Sequence, residues 1–281
     1  MITLEQLQAG IVLPIDKPRQ WTSFQAVNKI KAVVRQRYGL KKFKIGHAGT
    51  LDPLATGLLL VCLGKATKRI PELQDGDKEY TGTIVFGATT PCYDLEQAVD
   101  RYFPYEHITC ELVQDTARRF VGTIQQTPPM FSAVKVDGQR AYELARTDDN
   151  TALKARPVTV HSFEITAFRE GNPGLCNTAS PTGNHTPDCS SGMERTPKLH
   201  TARNLYDHPQ GEVPPHLPQA DFRIGCGKGT YIRSLARDLG AALGSGAFLS
   251  ALRRERVGEY TVDKSLTLDA VEGWLAGTNA D

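Results

Sequence analysis

The segment from Lys44 to Gly57, K-I-G-H-A-G-T-L-D-P-L-A-T-G, constrains the local fold more than any other stretch of this chain. Gly46 and Gly49 accept backbone angles that other residues avoid, and Pro53 fixes φ immediately after Asp52. Together they predict a tight, shaped turn with one carboxylate, that of Asp52, near its tip. Asp-Pro is also ordinary turn chemistry, so the pattern alone leaves open that Asp52 is only a turn residue.

Charge is distributed unevenly on the N-terminal side of this turn. From Lys17 to Leu51 the chain carries nine Lys or Arg residues and no Asp or Glu, so Asp52 is the first acid after a long basic run. The net charge of the whole chain is only +2, so any nucleic-acid site would be a local patch. A carboxylate at the edge of a positive surface suits chemistry on a polyanion, although such a basic face is also common as a solvated surface.

Composition and cysteine usage narrow the class of protein. At 281 residues, with 40% hydrophobic and 23% charged residues, the chain is typical of a globular enzyme with a substantial core. Six cysteines without a C-x-x-C pair indicate reduced thiols and a cytoplasmic protein. The first ten residues do not resemble a signal peptide, and no apolar run approaches the ~20 residues that span a bilayer, so we expect no membrane association.

Hydrophobic patterning predicts strands and helices in alternation. Strands are expected at residues 11–15, 58–64, about 80–90, 156–168 and 222–226. A helix is expected from Thr22 or Ser23 to Gly39, followed by a short basic helix at 65–73. A third helix is expected to begin at about Thr109, and a fourth to run from Tyr231 to about Gly244. The last is expected within 266–275. The apolar positions of the first of these fall on one face, namely Phe24, Val27, Ile30, Val33 and Val34.

The turn around Asp52 closely resembles the catalytic motif G-H-x-G-x-L-D-P-x-A-x-G of the B-type tRNA pseudouridine synthases. Every fixed position is met, at Gly46, His47, Gly49, Leu51, Asp52, Pro53, Ala55 and Gly57. In that family the Asp is the essential nucleophile, and uridine 55 in the T-loop is converted to pseudouridine. The resemblance therefore implies that Asp52 is catalytic and that His47 contacts the substrate. It implies no cofactor and no metal.

Further segments resemble the family's other motifs, in the family's order. Tyr80, in D-K-E-Y, matches a tyrosine that stacks on the target base, although by itself it would be interpreted as a core aromatic. In C-G-K-G-T-Y-I-R-S-L, Arg233 matches the arginine that pairs with the catalytic Asp, and Tyr231 matches a tyrosine that lies against the target nucleotide. Leu252 matches an apolar contact to the base. Lys17 matches a lysine that we expect either to support the Asp52 loop or to contact RNA.

Two further basic segments carry expectations about RNA. Residues 128–146 resemble an RNA-clasping insertion of the family, in which we expect a turn at Asp137-Gly138 and then a short helix with Tyr142 and Leu144. Arg253 and Arg254 follow Leu252 directly. They are expected either to contact phosphate or to be plain surface charge.

Residues 171–219 differ in composition from the rest of the chain. Pro, Gly, Ser, Thr, Asn and His accumulate there with little apolar periodicity, which predicts a low-complexity, disordered insertion. The spacing of its cysteines and histidines fits no zinc motif, so we expect no metal site. These residues are Cys176, His185, Cys189, His200, His208 and His216.

The resemblance implies an α/β (α+β) pseudouridine synthase fold, with a mixed, mainly antiparallel sheet flanked by helices. We expect one catalytic domain from residue 9 to 265, interrupted by 171–219 and followed by a C-terminal helix or tail at 266–281. The PUA domain that many members carry is expected to be missing. The expected protein is a monomer that binds the T-arm of tRNA. Two other functions stay open: a pseudouridine synthase for another RNA, and a tRNA-binding or chaperone protein without turnover.

Overall fold

The computed structural model describes residues 1–131, 135, 136, 139, 140, 153–172 and 211–278. Within these residues the strands are β1 (Ile11–Lys17), β2 (Ile45–Ala48), β3 (Thr56–Leu63), β4 (Lys78–Phe86), β5 (Ala88–Thr89), β6 (Arg101–Tyr102), β7 (Gly122–Gln126), β8 (Lys135–Val136), β9 (Gln139–Arg140), β10 (Arg156–Arg169), β11 (Gln219–Cys226), β12 (Ala247–Val257), β13 (Tyr260–Thr261) and β14 (Leu266–Thr267). The α-helices are α1 (Leu4–Ala9), α2 (Ser23–Tyr38), α3 (Ile70–Asp75), α4 (Cys110–Arg118), α5 (Ile232–Ala242) and α6 (Val271–Ala276). Two 3₁₀-helices cover Gly64–Arg69 and Val262–Lys264.

One ten-stranded sheet organises the molecule. Its strand order is β14-β1-β3-β12-β4-β11-β10-β7, with β2 paired to β3 and β13 paired to β12. The β1–β14 and β3–β12 pairs are parallel, and the other pairs of this sheet are antiparallel. The predicted fold class, a mixed and mainly antiparallel sheet with helices beside it, is therefore confirmed.

Strand β3 explains why the apolar run after Asp52 is unbroken. Every residue from Gly57 to Leu63 is buried. Successive side chains of a strand point to opposite faces, and alternate residues of β3 accordingly enter two different hydrophobic clusters. A strand covered on both faces needs apolar residues at every position, which is the pattern that the sequence shows.

Helix α2 begins and ends where its capping residues predict. Thr22 and Gln25 form a reciprocal capping box, and Gly39 closes the helix in the left-handed conformation. Val27 and Ile30 are buried as expected. The expectation for Phe24 was wrong, because its side chain is 70% exposed. Ser23, rather than Phe24, takes the buried position of the first turn.

The other predicted helices are present, with one change near the C-terminus. Thr109 caps α4, and the glycine-rich turn before Tyr231 leads into α5. The helix expected within 266–275 is shorter than predicted. Leu266 and Thr267 instead pair with β1 as the parallel strand β14, and only Val271–Ala276 is helical.

The prediction of a disordered insertion at 171–219 was wrong at both ends of that segment. Asn172 donates its backbone N–H to the carbonyl of His216, and Phe86 donates to the carbonyl of Pro218. Leu217 is buried and Val213 packs against the core, so apolar residues anchor the C-terminal end of a stretch whose composition is otherwise that of a loop. Residues 173–210 lie outside the described residues, and with them Cys176, Cys189 and His185, His200 and His208.

Two expectations from the sequence concerned an RNA-clasping segment at 128–146 and the absence of membrane association. Strands β8 and β9 pair with each other, while the predicted turn at Asp137-Gly138 and the residues Tyr142 and Leu144 lie outside the described residues. No helix among the described residues has the length and apolar character to cross a membrane.

Candidate active site

Asp52 lies on the loop that joins β2 to β3. Two glycines with positive φ flank this loop, Gly49 at +92° and Gly57 at +95°. A backbone hydrogen bond of 3.1 Å from the N–H of Ala55 to the carbonyl of Asp52 closes the turn. The tight turn predicted from the sequence is therefore present, and it presents the Asp52 carboxylate with 35% of its side chain exposed.

Buried side chains hold this loop by its backbone. Ser23 accepts a hydrogen bond from the N–H of Leu51 at 2.9 Å and donates one to its carbonyl at 3.1 Å. Lys17 Nζ donates to the carbonyls of Pro18, Trp21 and Pro53 at 3.0, 2.6 and 3.3 Å. Lys17 is fully buried, and burial lowers its pKa to about 8. Of the two roles expected for Lys17, this geometry favours support of the loop over contact with RNA.

Arg233 pairs with Asp52, as the resemblance implied. Its Nε lies 2.9 Å from Asp52 Oδ2, and its other nitrogens donate to the carbonyls of Cys92 at 3.0 Å and Phe131 at 2.8 Å. Only 5% of the Arg233 side chain is exposed. Burial lowers the pKa of Arg233, but the charges of Asp52 and Asp94 outweigh burial and raise it, so the arginine stays charged.

A second carboxylate, Asp94, was missed in the sequence. Its Oδ2 lies 3.6 Å from Arg233 Nε, and its Oδ1 accepts from the N–H of Glu96 at 2.9 Å. Burial raises the pKa of Asp94, and Arg233 opposes that rise. The pKa of Glu96 is raised to about 7, by burial and then by Asp94 and Asp52. The residues C-Y-D-L-E match no motif quoted above, so only the three-dimensional contact with Arg233 marks these acids.

A small pocket opens beside Asp52. It is lined by Asp52, Leu54, Ala55, Asp94, Arg233, Leu249, Ser250, Ala251 and Leu252. Carboxylate, guanidinium and the expected base contact Leu252 thus share one cavity. A larger concavity, lined by Gln8, Lys42, Phe43, Lys44, Gly64, Lys65 and Lys68, contains none of the predicted site residues, and we do not assign the chemistry to it.

Three other predicted site residues do not line this pocket. Tyr80 is buried in β4 as part of the main hydrophobic cluster, and burial raises its pKa. Tyr231 exchanges two hydrogen bonds with the side chain of Gln126, at 2.8 and 3.1 Å, and the Arg156 guanidinium carbon lies 5.3 Å from the centre of its ring. His47 lies in β2, where its buried Nδ1 has no hydrogen-bond partner within the described part of the chain and burial lowers its pKa.

The two arginines after Leu252 point to opposite faces of β12, as consecutive strand residues do. Arg253 forms two hydrogen bonds to Asp16, at 3.0 and 2.8 Å. Arg254 is only 1% exposed. It donates from Nε to the carbonyl of Leu58 at 2.7 Å and from an η nitrogen to that of Gly49 at 3.1 Å. Both expectations for Arg254, phosphate contact and surface charge, were therefore wrong.

Comparison with known proteins agrees with this geometry. Residues 35–183 match the model of the TruB family pseudouridylate synthase (N terminal domain). Residues 233–281 match that of the tRNA pseudouridylate synthase B C-terminal domain. A protein named tRNA pseudouridine synthase B from Flavobacterium johnsoniae is 46% identical over 272 residues, which cover 96% of this chain and 98% of that protein. Its namesake from Phocaeicola vulgatus is 44% identical over 266 residues, covering 95% and 93%.

Solved structures give a more distant likeness. A structure titled as a Cbf5-Nop10-Gar1 complex matches with a TM-score of 0.58 and 26% identity, covering 95% of this chain and 56% of the matched one. An H/ACA RNP bound to a substrate RNA containing 2'-deoxyuridine matches with a TM-score of 0.56 and 22% identity, covering 100% and 59%. This chain thus spans a little over half of those chains, and the second likeness concerns the fold alone. The Asp52–Arg233 pair agrees with the family models and the close relatives, which show that the chain belongs to the TruB family of pseudouridylate synthases.

Proposed function

We propose that this chain isomerises uridine 55 in the T-loop of tRNA to pseudouridine, with Asp52 as the nucleophile. The name tRNA pseudouridine synthase B, shared by relatives that match nearly the whole chain, supports tRNA as the substrate. The observation that carries the proposal is the Asp52–Arg233 ion pair of 2.9 Å in the pocket that also contains Leu252.

The pair gives Asp52 the properties of a nucleophile. Arg233 is buried and its contacts fix its position, whereas about a third of the Asp52 side chain is open to a substrate. The guanidinium thus orients Oδ2 of the carboxylate, and Oδ1 accepts no side-chain hydrogen bond from the described residues.

The reaction rearranges the base without a net change in atoms. Asp52 attacks, or assists departure of the base, and the bond between N1 and C1' breaks. The uracil turns, and a bond forms between C5 and C1' in its place. The C5 proton is lost to a base, and N1 ends with a proton, so that the product is an isomer of the substrate.

Holding the target base is the task proposed for the residues around Asp52. A uridine in a folded RNA reaches the pocket only after leaving its stack, at a cost of a few kcal/mol. Leu252 lines the pocket, and Tyr80 and Tyr231 are the aromatic residues that we propose for contact with the base. Stacking on an aromatic ring returns about 1–3 kcal/mol per base, enough to offset much of that cost.

Release of tritium from RNA labelled at C5 of uridine tests the proposal, because the isomerisation expels that hydrogen. We expect wild type to release tritium from a T-arm hairpin and from whole tRNA, but not from a ribosomal RNA fragment. Release from the ribosomal fragment instead would favour another RNA as the substrate. RNA binding without any release would favour the chaperone alternative.

Asp52→Asn tests the nucleophile in the same assay. The change is nearly isosteric, so folding and RNA affinity should be retained while release falls to background. Asp16→Asn is the matched control, since Asp16 is also paired with an arginine but lies outside the pocket. Release by Asp52→Asn within about tenfold of wild type would return Asp52 to the role of a turn residue.

A further inference from the structure

Arg254 is a second buried arginine near Asp52, and the chemistry above assigns it no role. Unlike Arg233, it forms no ion pair with any carboxylate among the described residues. Among the described residues it donates to backbone carbonyls, those of Leu58 in β3 and Gly49 at the start of the Asp52 loop. A charge buried without an acidic partner is costly unless its hydrogen bonds are satisfied, so the position of Arg254 needs an explanation.

The strand register places Arg254 beside Tyr80. In the antiparallel β12–β4 ladder the two residues are directly opposite each other. Side chains of directly opposite residues lie on the same face of a sheet, with Cβ atoms about 4.5–5.5 Å apart. The two side chains are therefore neighbours on one face of the sheet, and the charge of Arg254 acts on the pKa of Tyr80.

On its other side Arg254 lies against Gly57. The two residues are partners in the parallel β12–β3 pair, and Gly57 has a φ of +95°. A Cβ atom at Gly57 would lie 2.3 Å from the carbonyl oxygen of Arg254 and 2.8 Å from its nitrogen. The glycine thus lets β12 approach the end of the Asp52 loop, and this approach brings Arg254 within reach of Gly49.

The chemistry of the two groups allows one direction for a hydrogen bond between them. A guanidinium has only donors, so the Tyr80 oxygen would be the acceptor. The hydroxyl proton of Tyr80 would then be left for a different acceptor. Burial raises the pKa of Tyr80, Arg254 opposes that rise, and the negative charge of Asp52 adds to it, so Tyr80 stays protonated within the electrostatic range of Asp52.

We propose that Arg254 is a positioning residue that joins the Tyr80 hydroxyl to the Gly49 carbonyl. It thereby fixes the position of Tyr80 relative to the Asp52 loop. This inference rests on the proposed function and deepens it. Arg254 touches neither the pocket nor, on this proposal, the substrate. It acts through Tyr80 and through the backbone of the loop.

A double-mutant cycle on a C5-tritiated T-arm hairpin tests the proposal, with single-turnover rate and hairpin Kd as separate readouts. We expect Arg254→Lys to lower the rate by about tenfold or more and to change the Kd less than about twofold, because a lysine cannot reach two acceptors in a fixed fork. Tyr80→Phe should lower the rate similarly. Adding Arg254→Lys to Tyr80→Phe should then lower the rate by less than about threefold further, since both changes break one connection.

Arg256→Lys is the matched control, because Arg256 lies on the same strand and contacts Glu79 and the Gly258 carbonyl, away from the pocket. Its rate should stay within about twofold of wild type. Equal effects of Arg254→Lys in the wild-type and Tyr80→Phe backgrounds would overturn the proposal, and so would a change confined to Kd. Wild type that releases no tritium would instead overturn the proposed function.

Stability must be separated from positioning, because Arg254 is buried. The melting temperature of each variant is measured, and Arg254→Gln, which keeps an amide donor without the charge, replaces any Arg254→Lys protein that fails to fold. If neither folds, Tyr80→Phe decides alone, since it removes only the hydroxyl that Arg254 is proposed to hold. A rate for Tyr80→Phe within about twofold of wild type would then overturn the inference.

Discussion

Arg233 serves two carboxylates and two carbonyls at once, and this sharing determines what each partner contributes. Asp52 is partly exposed and belongs to the pocket, whereas Asp94 is buried behind it. The buried acid keeps the guanidinium charged and in place when Asp52 engages a substrate. On the proposed function, the exposed acid is the one that reacts with the substrate.

Asp94→Asn should therefore destabilise the fold as well as slow the reaction. Removing one member of a buried ion pair leaves the other charge unpaired, at a cost of about 3–5 kcal/mol, and Asp52 lessens that cost here. Asp115→Asn is the control, because the Asp115–Arg118 pair is exposed and should contribute less than about 1 kcal/mol. Urea unfolding of both variants measures the difference, and equal losses would contradict the assignment of Asp94 to a buried pair.

Lys17 makes a prediction about pH. Its pKa is lowered from 10.5 to about 8, chiefly by burial. Below pH 8 it is protonated in the folded and the unfolded chain, and burial of its charge costs stability. Between about pH 8 and pH 10.5 the folded chain has released the proton while the unfolded chain still binds it. Stability contributed by Lys17 therefore rises with pH across this window.

The comparison that isolates Lys17 is wild type against Lys17→Met. Groups other than Lys17 titrate in both proteins and cancel in the difference of their free energies of unfolding. That difference should shift in favour of wild type as the pH is raised from 8 towards 10.5. A difference that is flat, or that shifts towards the variant, would show that Lys17 keeps its proton in the folded chain.

Among the elements, helix α2 has a narrower buried face than its apolar pattern indicates. Phe24 is exposed and Ile30 is buried, although both were expected on one face. Phe24→Ala should change the free energy of unfolding by less than about 0.5 kcal/mol, as surface substitutions do. Ile30→Ala should cost about 2–5 kcal/mol. Denaturant titration distinguishes them, and a large loss for Phe24→Ala would mean that its ring packs on the fold in solution.

Local elements were predictable from the sequence because their signals are local. The capping box at Thr22, the glycine at position 39 and the unbroken apolar run of β3 each act within a few residues. The resemblance supplied Asp52 and Arg233, and the structure brings these two together. Whether they catalyse as proposed stays a prediction for the experiments above.

Asp94 and Arg254 could not be predicted in the same way. The role of Asp94, in C-Y-D-L-E, follows only from its contact with Arg233, which is 139 positions further along the chain. The burial of Arg254 depends on which face of β12 it occupies and on carbonyls that β3 and the Asp52 loop supply. Neither the register nor the partner is encoded near the residue itself.

For the whole molecule, two replacements of different length test which part of the segment at 171–219 stabilises the fold. Replacing 173–210 by a flexible Gly/Ser linker should leave the melting temperature nearly unchanged, since loop-closure entropy varies weakly with loop length. Replacing 172–218 should lower it clearly, because that change removes buried Leu217 and the backbone hydrogen bonds of Asn172 and Pro218. A large loss with the shorter replacement would show that 173–210 stabilises the catalytic domain.

The separation of Asp52 from Arg233 along the chain has a consequence for the timing of synthesis. The two residues are 181 positions apart, and Leu58 and Arg254 are 196 apart. At translation rates of about 5–20 residues per second, roughly 10–40 seconds pass between the appearance of the carboxylate and that of its guanidinium partner. Long-range pairings of this kind also form slowly once both partners exist. A nascent chain therefore displays its basic N-terminal segment well before it can hold Asp52 in place, and the Asp52 site is complete only after Arg233 has been made.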